Sequence, residues 1–171
     1  MEQLIKKAVE FGSLNAKIKD TNSVVILYDA KEKCKEGCPF YDKKQGCPPS
    51  SPQYKEIENI LKEYKKCMLI QCENMDKVDN VLREIKKYLK EEDKECFIFG
   101  AKVCNVCEEF YNEKCTYPDC KHKGEVIPQM SGCGIDVLKT ALNMGYSEND
   151  FVIQKNDYKN EDIKFYGMVV F

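Results

Sequence analysis

Leu4, Ile5, Ala8 and Val9 recur at helical spacing among charged neighbours, which predicts a short amphipathic helix over residues 2–10 with Gly12 as its stop. Residues 24–28 (VVILY) form a β-branched apolar run and predict a strand. After residues 34–52, Ser51 and Pro52 are the expected N-cap and first position of a helix striped by Ile57, Ile60, Leu61 and Tyr64. Residues 67–72 (CMLIQC) predict a buried strand. Residues 76–92 predict a helix, with Val78, Val81, Leu82, Ile85, Tyr88 and Leu89 on one face. A strand over 96–103, a helix over 134–144 ended by Gly145, and a strand over 163–171 complete the pattern. Two stretches lack any hydrophobic period, residues 34–52 and 104–130. The first carries Gly37, Pro39, Gly46, Pro48, Pro49 and Pro52, too many breakers for a regular element. Alternation of helix and strand around these loops predicts an α/β fold, a single small domain over residues 1–171. Its expected core is a mixed sheet with helices packed on it.

Charge narrows the function classes. Lys plus Arg number 27 and Asp plus Glu 29, for a net charge of −2, with the signs interspersed. No basic field is present for nucleic acid or an anionic membrane. The apolar runs are too short to span a bilayer, and the charges spread through residues 1–11 do not read as a signal peptide.

Cysteine changes the picture most. The chain has 11 cysteines, one histidine (His122) and no tryptophan. An odd count without a secretion signal argues against a disulfide framework and for a reducing, cytoplasmic setting in which clustered thiols bind metal. One histidine excludes a Cys₂His₂ finger and a Rieske centre. The first loop reads Cys34-x₃-Cys38-Pro39-x₇-Cys47-Pro48-Pro49. The second reads Cys104-x₂-Cys107-x₇-Cys115-x₄-Cys120, with Cys133 further on, so the cysteine-rich stretches run over about 34–52 and 104–133. Loops of this kind let thiolates converge on one centre from several directions. Cysteine followed by proline, as at Cys38 and Cys47, is similar to the ferredoxin run and favours iron–sulfur. The second loop alone also suits zinc, with Cys104/Cys107 and Cys115/Cys120 as paired knuckles. Three thiols in the first loop and five in the second region make two four-cysteine sites only if one cysteine of the second region crosses over. Which of Cys120 and Cys133 does so stays open.

These motifs together resemble a family of predicted metal-binding proteins, DUF2284, found widely in anaerobic bacteria and archaea. The matching residues are Cys34, Cys38-Pro39, Tyr41, Cys47-Pro48-Pro49 and Tyr64, then Cys104, Cys107, Cys115-x₂-Pro118, Pro128-x-Met130 and Gly134-Ile135-Asp136-Val137. The chain departs from the family pattern at Phe110, where the family's second block has its third cysteine. Phenylalanine cannot ligate, so Cys120 or Cys133 is expected to replace the missing thiolate. The resemblance implies metal binding and no established reaction.

The functional expectation is an iron–sulfur protein with two [4Fe–4S] clusters held by Cys34, Cys38, Cys47, Cys104, Cys107, Cys115, Cys120 and Cys133. It would transfer electrons at low potential to a redox partner protein. Two rivals are an enzyme with an open iron at a three-cysteine cluster and a zinc-stabilised interaction module, so whether the chain is an enzyme stays open. Cys67, Cys72 and Cys96 read as strand and core residues. His122, between two lysines, reads as solvated surface. Gly132-x-Gly134 reads as a helix start. Tyr41, Tyr111 and Tyr117 read as shields of a centre.

Overall fold

The segment KCMLIQC has apolar side chains on both faces of the strand it forms, so both faces must be covered. The computed structural model, which describes residues 1–147 and 163–171, covers both. Strand β2 (Lys66–Cys72) lies at the centre of a four-stranded sheet with β1 (Asn15–Asp20), β3 (Phe97–Phe99) and β4 (Phe165–Val170), in the order β1-β2-β4-β3. Leu69 sits opposite Lys17 of β1 and Met168 of β4. On one face Met68, Ile70, Cys72 and Val169 pack beneath α1 (Glu2–Glu10) and α4 (Met75–Glu91). On the other, Cys67, Leu69, Met168 and Val170 pack against Ile57 of α3 (Tyr54–Glu63), Ala141 of α6 (Val137–Asn143) and the segment carrying Met130, Cys133 and Ile135. The α/β arrangement of one sheet with helices packed on it is therefore observed.

The sheet itself differs from the mixed one expected. Every named strand pair is antiparallel. Among the described residues a parallel pairing occurs as a single bridge beyond β3, between Gly100 and Gln129. There Gly100 donates to Pro128 O and its carbonyl accepts from Met130 N, both at 2.9 Å.

Several boundaries need correcting. Residues 24–28 are not a strand of the sheet. They run extended past residues 134–136, touching at the Ile26–Ile135 bridge, where Leu27 donates to Gly134 O and Asp136 to Val25 O. The edge strand beside β2 is β1, whose sequence NAKIKD is charged on its outer side, as exposed sheet edges commonly are. The first cysteine loop is partly helical: α2 (Ala30–Gly37) contains Cys34. The helix after it starts at Tyr54 with Gln53 as N-cap, in a capping box with Glu56, two residues later than Ser51 and Pro52 had implied. The strand expected over 96–103 shrinks to Phe97–Phe99, and the second loop contains α5 (Val106–Tyr111). The helix expected over 134–144 begins at Val137 behind an Asp136 cap that accepts from Lys139 N at 3.0 Å. Among the described residues no helix is long and apolar enough to cross a membrane.

Helix α4 lies close on the sheet because Gly167 of β4 has no side chain; a Cβ there would run into Val78 and Leu82. The same helix buries Asp79, whose Oδ1 accepts from Ala101 N at 3.3 Å. Burial pushes the Asp79 carboxyl up to about 6, against which the Ala101 hydrogen bond, Lys102 and Arg83 favour the charged form. A raised carboxyl pKa means that its stabilising contribution is present below the ordinary value near 3.8 and is lost as pH rises through about 6. The wild type should therefore lose on the order of 2–3 kcal/mol relative to Asp79→Asn between pH 4 and pH 6, with the variant the more stable at neutral pH. Paired denaturant titrations across that window check this; parallel pH profiles for the two proteins would refute it.

Candidate metal centre

Helix α2 aims the first thiols. Cys34 lies in its last turn and Cys38 caps it, donating its N–H to Cys34 O at 3.0 Å. Positions four apart on a helix share a face, so both sulfurs leave the same side. Cys47 reaches the same place from the following loop, where its N–H bonds Lys44 O and its carbonyl accepts Ser51 N. Its buried thiol lies within electrostatic reach of Cys38 and Cys34. The fourth thiol comes from far along the chain. Cys133 ends a single 3₁₀ turn (Ser131–Cys133), is fully buried, and interacts with Cys47. Ser51 Oγ donates to Gly132 O at 2.7 Å and locks that turn to the first loop.

Lys31 stands over this set. Its Nζ donates to Pro52 O at 2.7 Å and lies 5.2 Å from the centre of the Tyr54 ring. Burial lowers its pKa, while Cys133, Glu56, Glu32 and Cys34 pull it back up. The thiols are desolvated too. Burial pushes Cys47 up to about 11 and Cys133 up to about 12. Thiols in such surroundings hold their protons until a metal cation displaces them. Cys38, by contrast, is exposed, so the set opens to solvent on its side.

The second set surrounds one small cavity. Cys104, Cys107, Cys115 and Cys120 line it, together with Lys44, Gln45, Asn105, Val106 and Glu108. Cys107 is on α5 and buried, and Cys104 precedes that helix. Burial raises the Cys104 thiol, the N–H of Val106 favours its thiolate, and Cys120, Cys115 and Cys107 all act on it. Two cations hold the loop on α4. Lys102, with 10% of its side chain exposed, joins Asp76 of α4 at 2.8 Å to Glu109 of α5 at 2.7 Å. Arg83 donates to Glu125 O at 3.1 Å.

The two sets adjoin. Cys47 of the first also feels Cys104 of the second. Tyr117 spans the seam: its hydroxyl donates to Asp42 Oδ1 at 2.7 Å and lies 2.8 Å from Ser50 Oγ. Tyr117 is thus a clasp between the loops, where a shield was expected. Tyr111 is exposed and stacks on His122 with ring centres 3.8 Å apart. His122 is not the solvated residue expected. Only 16% of its side chain is exposed, and it lies between Glu113 and Glu125, with no hydrogen-bond partner for its Nε2. Phe110, at the position where the resembled family has a cysteine, is outside the cavity, 48% exposed and beneath the Arg83 guanidinium at 4.9 Å. Cys67 and Cys72 are fully buried in the core as expected. The Cys67 thiol contacts Met144 Sδ at 3.7 Å. Cys96 is half-buried in an open groove away from either set.

Soft thiolates without histidine suit zinc or iron–sulfur clusters, and the donor chemistry of both sets fits such a group. Among the described residues no three Cys, His, Asp or Glu are closed to the spacing around a single bound ion. The four thiols of the second set ring a cavity and do not meet at a point. Sequence reading missed Lys31 and Lys44, which carry no motif of their own, and gave Ser51 the role of a helix cap where its hydroxyl instead holds Gly132 O. Each acquires its place only when a distant segment folds against it.

The clasp is testable. Tyr117→Phe removes both hydroxyl contacts at the seam, at a cost of up to about 1 kcal/mol for partly exposed hydrogen bonds. Limited proteolysis should then cut within residues 104–130 up to about five-fold faster, with unchanged far-UV circular dichroism. Equal cutting rates would show that Tyr117 holds nothing.

No curated protein and no solved structure matches the chain. The family model described as predicted metal-binding protein (DUF2284) matches residues 17–171, which takes in β1 from Lys17 on, both thiol sets and β4. That match spans nearly the whole chain, and the protein belongs to the DUF2284 family of predicted metal-binding proteins.

Proposed function

We propose that this metal-binding protein carries two [4Fe–4S] clusters and transfers electrons at low potential to a redox partner protein. Cys34, Cys38, Cys47 and Cys133 would hold one cluster and Cys104, Cys107, Cys115 and Cys120 the other. The observation that carries the reading is the division of the eight loop cysteines into two adjacent groups of four. Each group draws on thiols alone. The first combines a Cys-Pro-bearing loop with a cysteine from distant sequence, as ferredoxins with two clusters do when they cross-ligate. Thiolate ligation without histidine favours a potential on the order of −400 mV. The clusters would supply one-electron storage. The chain's residues would hold them, bury all but the Cys38 side of the first, and offset their negative charge with Lys31 and Lys44.

An enzyme with an open iron is less well supported. The first loop has only three cysteines, but Cys133 stands beside Cys47 and offers the fourth thiol. A zinc reading draws its support from the second set, where Cys104 and Cys107 flank the start of α5 as a knuckle would and the Val106 N–H favours the Cys104 thiolate.

Iron and acid-labile sulfide analysis on protein purified without oxygen decides among these. About eight iron and eight sulfide per chain are expected, falling to about four of each in Cys120→Ser and in Cys133→Ser, with the double variant losing nearly all. A colourless protein with one or two zinc and no sulfide would replace this reading with the zinc module.

A further inference from the structure

The two thiol sets meet at Lys44. Its carbonyl accepts the N–H of Cys47 at 3.2 Å, so its backbone belongs to the first set. Its side chain lines the cavity of the second, among Cys104, Cys107, Cys115 and Cys120. Only 18% of that side chain is exposed, and its ion-pair partner at 3.5 Å is Glu108, the residue after Cys107. Its positive charge also acts on Cys47, which in turn feels Cys104. Lys31 contrasts with this placement. It acts on Cys133 and Cys34 and has no contact with the second cavity.

We infer that Lys44 is a positioning residue shared by both metal sites, and that its ammonium raises the reduction potential of the two together. The inference rests on the two-cluster reading. Reduction of either site by an inorganic reductant such as dithionite adds one electron to the site and oxidises the reductant by one. No bond to a thiolate forms or breaks. The site becomes more negative, and a nearby cation in a poorly solvated place favours that state more than the oxidised one. Lys44 is near both sites, so it links their potentials; Lys31 biases the first alone.

Redox titration followed by electron paramagnetic resonance tests this on anaerobically purified protein, with iron and sulfide counted first. In Lys44→Met both potentials should move to more negative values, in Lys44→Arg both should stay near wild type, and in Lys31→Met only one should move. Lys43→Met, which removes an exposed neighbouring charge, should leave both in place. If Lys44→Met does not retain its metal, Glu108→Gln probes the same charge from the other side and should move both potentials upward. A wild-type chain with iron and sulfide in which Lys44→Met or Glu108→Gln leaves either potential unmoved overturns the inference and leaves the cluster reading intact. A wild-type chain without iron and sulfide overturns the cluster reading first, and the inference with it.

Discussion

The pair of hydrogen bonds that Gly100 exchanges with the backbone of residues 128–130 is the constraint that ties the second cysteine stretch to the sheet. It lies just beyond β3, at the edge of the sheet. The chain leaves it in one direction toward Cys104 and arrives at it from the other just before Cys133. The second cysteine stretch thus leaves and returns to one sheet edge at a single bridge, and the Ser51–Gly132 bond joins the first stretch to it. The site is crowded: a Cβ at residue 100 would lie 2.5 Å from Asp79 Oδ1 and 2.9 Å from Ile127. Glycine is required there by close approach, since only a residue without a side chain lets the buried Asp79 reach Ala101 N.

From that edge the chemistry divides by burial. Cys133 is sealed in the core while Cys38, its companion in the first set, faces solvent. Desolvated thiols resist ionisation, which disfavours bare thiolates and leaves the groups dependent on a cation for their charge. The protein supplies part of that compensation itself, with Lys31 at the first set and Lys44 at the seam. Both lysines are partly buried. Their charges therefore act over short distances with less screening than surface lysines have.

Elements with a largely apolar buried face were the most readable. The run KCMLIQC and the stripe of α4 leave no choice of partner, because any exposure would put large apolar area in water. The elements that misled were those whose role is to lie at an edge. β1 is short and charged, so its composition hides its pairing. Residues 24–28 are apolar because they cover Ile135 and the second core cluster, not because they join a sheet. Helix α2 has no buried face of its own, and nothing periodic announces it.

The sequence by itself determined that cysteines would cluster in two stretches, that histidine would take no part in a two-histidine site, and that a sheet with helices would carry those stretches. Those conclusions depend on residue identity and local spacing, which short-range physics governs. Only the tertiary structure decided that Cys120 lines the cavity of Cys104, Cys107 and Cys115 while Cys133 crosses to Cys47. Spacing could not separate those two cysteines, because each is joined to its neighbours by loop, and a loop's ends meet wherever the elements around it pack. The deciding contacts are the Gly100 bridge and the Ser51–Gly132 bond, both between segments far apart in sequence.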